Sequence, residues 1–398
     1  MTPAGKSREA GSAEVALLLA ASGGDPSRDS VRRLMAEPID WTRLTQLAVE
    51  SHATPGLWEV VSSFQDLPRE AGLLQTLAVV NGFRRHHILG LVERVVGQLR
   101  AAGIEVLLLK GAAMLAGGVA RPAARTMSDI DLLVVEGSPE DAWRVCRANG
   151  WTLVDPAWTE DLYRSHHHLP PLVDPDGISI GLELHRTLLP GAAHLGLDVS
   201  AIRGRARWVT LGGVALQVPS VEDLLLHSCL HFAWSNKLQR AAWRAFADAH
   251  AIVGDAGFDW DRFVGIARRT RAPQACYWAL RLARLMSDLP VPDEVLRRLE
   301  PGEGGAFAAL LERHFARQML DPTEEAAVSE RVRRWLWFAA LHERGGSEPG
   351  ANPWNVGAVE VPGEGGDPTP RVARGPFRAA ISTCGYLARL VAHSRPMP

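Results

Sequence analysis

Arg125–Val135, "RTMSDIDLLVV", is the stretch whose reading decides the fold. Side chains alternate along an extended chain, so Ile130, Leu132 and Val134 share one apolar face. Asp129 and Asp131 share the other. Two carboxylates this close repel, and each resists burial. A divalent cation resolves the conflict, because Mg2+ prefers oxygen ligands and is commonly held by one or two carboxylates plus substrate phosphates. A bare Asp-x-Asp is short and frequent, however, and alone it reads as a solvated strand end.

The neighbouring sequence shifts that balance. Upstream, "IEVLLLK" (Ile104–Lys110) is a dense apolar run read as a buried strand, and Gly111 opens the helical "AAMLAGGVA". A strand–Gly–helix unit offers free backbone N–H groups to an anion, and Lys110 adds a point charge suited to phosphate. Arg121 and Arg125 lie on the loop leading into the aspartates and suit a triphosphate clamp, or serve as plain salt-bridge partners. Downstream, "GLELHR" places Glu183 and His185 on one face of a later strand. A third carboxylate from a neighbouring strand would complete a site for metal-assisted phosphoryl chemistry.

Away from this centre the pattern is helical on both sides. "WTRLTQLAVESHATPGLWEVV" and "FRRHHILGLVERVVGQLRAAG" carry apolar residues at three- and four-residue spacing, the latter ending on Gly103. Ser138 caps a helix through Ala148, and Gly150 stops it. Asp174–Gly177, "DPDG", and the glycine pair in "RWVTLGGVALQV" mark turns between strands. After Pro219 helices resume to about Arg344. The class is α+β: an N-terminal helical region (1–100), a mixed core (101–218), a C-terminal helical region (219–345), and a Gly/Pro-rich linker with a basic amphipathic tail (346–398). The tail carries five arginines from Arg371 onward and is read as docking on an acidic surface.

Composition sets the outer limits. With 398 residues, 46% of them hydrophobic, the chain can bury a large core. A formal net charge of −2 gives no global case for a nucleic-acid partner. Cys146, Cys229, Cys276 and Cys384 lack metal or CxxC spacing and read as buried thiols in a reducing compartment. Lys6 and Arg8 precede the apolar Val15–Ala21, but Glu9 and Glu14 interrupt that pattern, so a first helix is expected rather than a signal. No run is long enough to span a membrane, and a cytoplasmic location is the expectation.

Several histidines draw attention and are weighed lower. In His166–His168 strand alternation would let at most His166 and His168 cooperate, so the run reads as cleft-edge residues. His227 and His231 stand four apart on a predicted helix, without a third ligand or an HExxH motif, and are taken to face the cleft or core. Arg244 and Asp248 read as an intrahelical ion pair.

The succession of "LKG", an arginine-bearing loop, "SDIDLLV" and "ELH" resembles the uncharacterised nucleotidyltransferase family of the DNA polymerase beta superfamily. The segments "AAGIEVLLLKG" and "PSVEDLLLHSCLHFAW…WRAFADAHAIV" extend the likeness over about residues 40–290. The resemblance implies a nucleotidyltransferase-like mixed β-sheet core with helices and transfer of a nucleoside monophosphate from an NTP such as ATP, with Mg2+ or Mn2+. It implies that Asp129, Asp131 and Glu183 are metal ligands and catalytic groups. Lys110, Gly111, Arg125 and Ser128 would bind the nucleotide, and His185 and Asp248 would wall the site. The acceptor is an unspecified small molecule, peptide or protein, and the oligomeric state is open. Superfamily members usually place Gly-Ser before the aspartates. Lys110-Gly111-Ala112 stands here instead, which motivates the alternative of a nucleotide-binding accessory protein with little or no turnover.

Overall fold

The aspartate-bearing strand lies at the middle of a mixed seven-stranded sheet, seen in a computed structural model describing residues 13–119, 124–189, 195–236, 238, 243–300, 311–316, 319, 336–337 and 340–341. Arg121, Cys384 and the expected linker and tail lie outside these residues. Helices α1 (Ala13–Ala21), α2 (Asp29–Met35), α3 (Trp41–Glu50), α4 (Thr54–Val61) and α5 (Gly72–Ala101) lead to β1 (Glu105–Leu108). Then come α6 (Lys110–Ala116), β2 (Asp129–Glu136), α7 (Pro139–Ala148), β3 (Thr152–Leu153), β4 (Leu172–Val173), β5 (Gly181–His185) and α8 (Val199–Arg205). The hairpin β6 (Arg207–Leu211) and β7 (Val214–Val218) precedes α9 (Val221–His231), α10 (Arg244–Val253), α11 (Trp260–Arg269), α12 (Pro273–Ser287) and α13 (Asp293–Leu299).

The strand order is β3-β4-β5-β2-β1-β7-β6. β2 runs antiparallel to β1 and parallel to β5, with Asp129 beside Gly181, Asp131 beside Glu183 and Leu133 beside His185. The sequence explains most of the joints. Gly212 and Gly213 both take positive φ in the tight β6–β7 turn, as a two-residue hairpin with strand-matching twist requires. The Asp174 carboxylate accepts the N–H groups of Asp176, Ile178 and Ile180, closing the loop from β4 into β5. Ser138 caps α7 by accepting from the Asp141 N–H.

Two expectations need correction. The first strand stops at Leu108, and Lys110 is the first residue of α6 with φ +44°, so it leaves the strand and turns its side chain toward β2. Asp131 is not at an exposed strand start. It is only 2% exposed, because Leu133 on the same face is fully buried and the helices close over both faces.

β1, β2 and β5 bury Leu107, Leu108, Ile130, Leu132, Leu182 and Leu184 beside the polar Asp131 and His185, and α5 and α6 pack on this centre while α7 packs on β5. The helices after β7 gather around α9, which reaches α6, and α1 packs on α12. Cys146, Cys229 and Cys276 are free and buried. No described helix is long and apolar enough to cross a membrane.

Candidate active site

Parallel pairing of β2 with β5 puts Asp131 directly beside Glu183, which sequence spacing alone could not have guaranteed. Lys110 enters from α6, its Nζ 2.6 Å from Asp131 Oδ1 and 3.8 Å from Glu183 Oε2. The fully buried His185 places Nε2 3.0 Å from Asp131 Oδ1 and 3.3 Å from Glu183 Oε2. Asp129, one turn of the pleat earlier, is half-buried, and Ser128 before it is exposed. The expected catalytic residues, Lys110 and His185 therefore converge on one spot.

The charges there do not balance. Three carboxylates face one ammonium, leaving two negative charges in surplus, or one if His185 is protonated. Burial and the neighbouring Asp131 raise the Asp129 carboxyl above its usual range. Burial also penalises ionised Asp131, but Lys110 and His185 outweigh that penalty and hold its carboxyl well below the ordinary value. The same contest lowers Glu183, where His185 is the strongest counterweight to burial. Lys110 is raised despite burial by Asp131, Glu183 and Asp129, so it stays charged. Hard oxygen donors with excess negative charge suit Mg2+. One atom each from Asp131, Glu183 and His185 lie within 4.8 Å of one another. The residues present therefore fit a divalent cation.

Arg125 takes a different position from a free clamp. It is buried, and its Nε and Nη2 both donate to Asp248 on α10 at 2.9 Å. Burial works against its charge, and Asp248 more than restores it. Asp248 is thus drawn across 123 residues to Arg125, correcting the expected intrahelical pair with Arg244. Gly111 makes this possible. A Cβ there would collide with the Arg125 guanidinium, its Cζ only 2.9 Å away.

Arg244 itself forms no hydrogen bond or ion pair with a described residue. Burial and the nearby Arg125 lower its pKa, while Asp248, Asp129 and Asp131 pull it upward. It lines a pocket of about 560 Å3, open mouth included, with His52, Leu57, Arg125, Trp243 and Asp248. On the sequence alone Arg244 pairs with Asp248 along one helix face. The missing signal is tertiary, since the Arg125 loop reaches α10 and takes Asp248 from Arg244.

A family model described as an uncharacterised nucleotidyltransferase matches residues 37–288. The chain belongs to that nucleotidyltransferase family. No curated protein matches it. Family membership supports nucleotidyl transfer as the general activity and an NTP as substrate, with a divalent metal as the usual helper. In this nucleotidyltransferase the motifs "LKG", "SDID" and "ELH" are the ones gathered around the carboxylates.

Its other histidines are placed as follows. His227 is buried, its Nε2 without a hydrogen-bond partner among the described residues, and burial with nearby Lys110 brings its pKa down to about 3. His231 is also pushed well down by burial, then by Lys110 and His227. Both expectations of a cleft- or core-facing pair hold. His166–His168 depart from expectation, because His166 and His167 lie in a bend and His168 forms an isolated antiparallel bridge to His185, so strand alternation does not run through all three. All three rings meet.

Proposed function

We propose that this protein transfers a nucleoside monophosphate from an NTP to a hydroxyl or phosphate of a small-molecule, peptide or protein acceptor, with Mg2+ (or Mn2+) at Asp129, Asp131 and Glu183. The observation that carries this reading is the Asp131–Glu183 adjacency across parallel strands, with surplus negative charge beside it. When bound, the cation supplies neutralisation of phosphate charge and polarisation of the α-phosphorus.

The chain's own residues do the remainder. Lys110 holds its charge between the carboxylates and the phosphates. Arg244, which has no hydrogen-bond or ion-pair partner among the described residues, offers its guanidinium to the triphosphate or the acceptor. Arg125 adds positive charge from the wall and, through Asp248, fixes α10 and so the origin of Arg244. Gly111 gives that guanidinium room, and Ser128 stands at the nucleotide edge. The acceptor oxygen forms its bond to the α-phosphorus as the bond to the bridging oxygen breaks, and pyrophosphate leaves with the electron pair. The acceptor's proton passes to Glu183 or to a water it orients. His185, closed off from solvent, positions Asp131 and Glu183 through Nε2 rather than meeting substrate.

A second reading, a nucleotide-binding accessory protein, is favoured by Lys110-Gly111-Ala112 standing where superfamily relatives carry Gly-Ser. One experiment separates the two. Purified protein is incubated with labelled NTPs, Mg2+ or Mn2+ and cell extract, beside an Asp129→Asn/Asp131→Asn variant. Label transfer or pyrophosphate release by the parent alone supports the enzyme. NTP binding without turnover supports the accessory role, and equal activity in the variant removes the carboxylate mechanism.

A further inference from the structure

We propose that His166, His167 and His168 form a three-imidazole site for a borderline transition-metal ion of the Zn2+ class, separate from the carboxylate site and next to it. One ring nitrogen from each lies within 4.8 Å of the others, and the ring centroids are 4.2–4.5 Å apart. Three histidines with a fourth position open are a familiar zinc donor set, and imidazole suits such ions while Mg2+ prefers oxygen.

The donor atoms are in the state that ligation needs. His166 Nδ1 and His167 Nδ1 are buried with no hydrogen-bond partner among the described residues, an expense that a cation bound there would remove. His168 Nδ1 lies 2.7 Å from the Leu169 carbonyl oxygen. A carbonyl only accepts, so that nitrogen carries the proton and Nε2 is the ring's lone-pair atom. Fixing a ligand's tautomer through its other nitrogen is what outer partners do at histidine metal sites.

The loop is also held in place. The Arg186 Nη1 donates to the carbonyls of Tyr163 (3.2 Å), His166 (3.5 Å) and His168 (3.1 Å), while its Nε and Nη2 donate to Glu140. The Arg186 and Thr187 N–H groups both donate to the His167 carbonyl. The buried Tyr163 ring packs against His166 and His168 and backs the cluster. A preorganised backbone under three converging rings is a built site rather than a surface accident. It touches the other centre through His185, whose ring lies 5.3 Å from His167 and 5.5 Å from His168.

The test uses untagged full-length protein, stripped with chelator and titrated with Co2+ and then Zn2+ in excess Mg2+. One equivalent of Co2+ should give the intense visible bands of a tetrahedral ion, and Zn2+ should displace it. His166→Ala/His168→Ala should weaken binding at least ~10-fold and lose the bands. Asp129→Asn/Asp131→Asn should keep both. X-ray absorption at the zinc edge of the wild-type protein should report imidazole scattering, which needs no variant to fold. Absence of tight Co2+ or Zn2+ binding, unchanged binding in the histidine variant, no imidazole signature, or loss of the bands in the carboxylate variant would each overturn the site.

Discussion

Replacing Gly111 by alanine should destabilise the protein through one identifiable collision. The new Cβ would lie 2.9 Å from Arg125 Cζ, closer still to Nη1, and 3.3 Å from Met127 Cγ. Arg125 cannot step aside freely, because it is buried and bound at two points to Asp248. Either α6 shifts, at about 1–3 kcal/mol for overpacking, or the guanidinium swings away and leaves Asp248 unpaired, at about 3–5 kcal/mol. The cheaper route decides the outcome, so a loss of about 2–3 kcal/mol is expected. Gly97, inside α5 with nothing within 4 Å of a Cβ, is the control. Alanine there should gain about 0.5–1 kcal/mol from backbone entropy and helix propensity. Urea unfolding midpoints measure both. The decisive comparison is Arg125→Ala alone against Gly111→Ala/Arg125→Ala. With the guanidinium gone the alanine should cost almost nothing further, a strongly non-additive pair. Additive losses would refute the collision as the cause.

Three further outcomes follow from the site. Asp131→Asn removes the negative charge shared by Lys110 and His185, and label transfer should fall at least ~100-fold with the far-ultraviolet circular dichroism spectrum retained; parent-like transfer would dismiss Asp131. Arg244→Ala should raise KM for NTP or acceptor about tenfold or more, with a smaller loss for Arg244→Lys, measured by initial rates over substrate concentration; unchanged kinetics would place Arg244 outside the site. Stability should fall on acidification below about pH 6.5, the unfolded histidine value. His166 and His227 have lowered folded-state pKa values, near 4 and 3, so the unfolded chain takes up protons first as pH drops. The enclosed His227 can cost up to about 1.4 kcal/mol per pH unit between those limits, and the half-buried His166, screened by solvent, less. In metal-free buffer His227→Gln should flatten the slope between pH 7 and pH 5, and an unaltered slope would count against its burial as the cause.

The core was readable because strands and helices impose different periods. "DIDLLVV" alternates, "IEVLLLK" is a dense apolar run before a glycine, and "RWVTLGGVALQV" announces its own turn. Lys110 escaped that reading, since a positive φ at a non-glycine residue has no local signature. The histidine run departs for a related reason: alternation belongs to a strand, and here the Arg186 side chain, the Arg186 and Thr187 N–H groups and the His168–His185 bridge shape the segment instead.

By itself the sequence determined the α+β class, the positions of β1, β2 and β5 and the acidic residues they carry. Those features follow from neighbours in the chain, whose spacing sets which face each side chain takes. Tertiary structure decided who meets whom. The Asp131–Glu183 register and the Arg125–Asp248 pair across 123 residues, which takes Asp248 from Arg244, depend on folding distant segments together. Partner choice for a buried charge is settled by which opposite charge the packing delivers, and no local pattern encodes that.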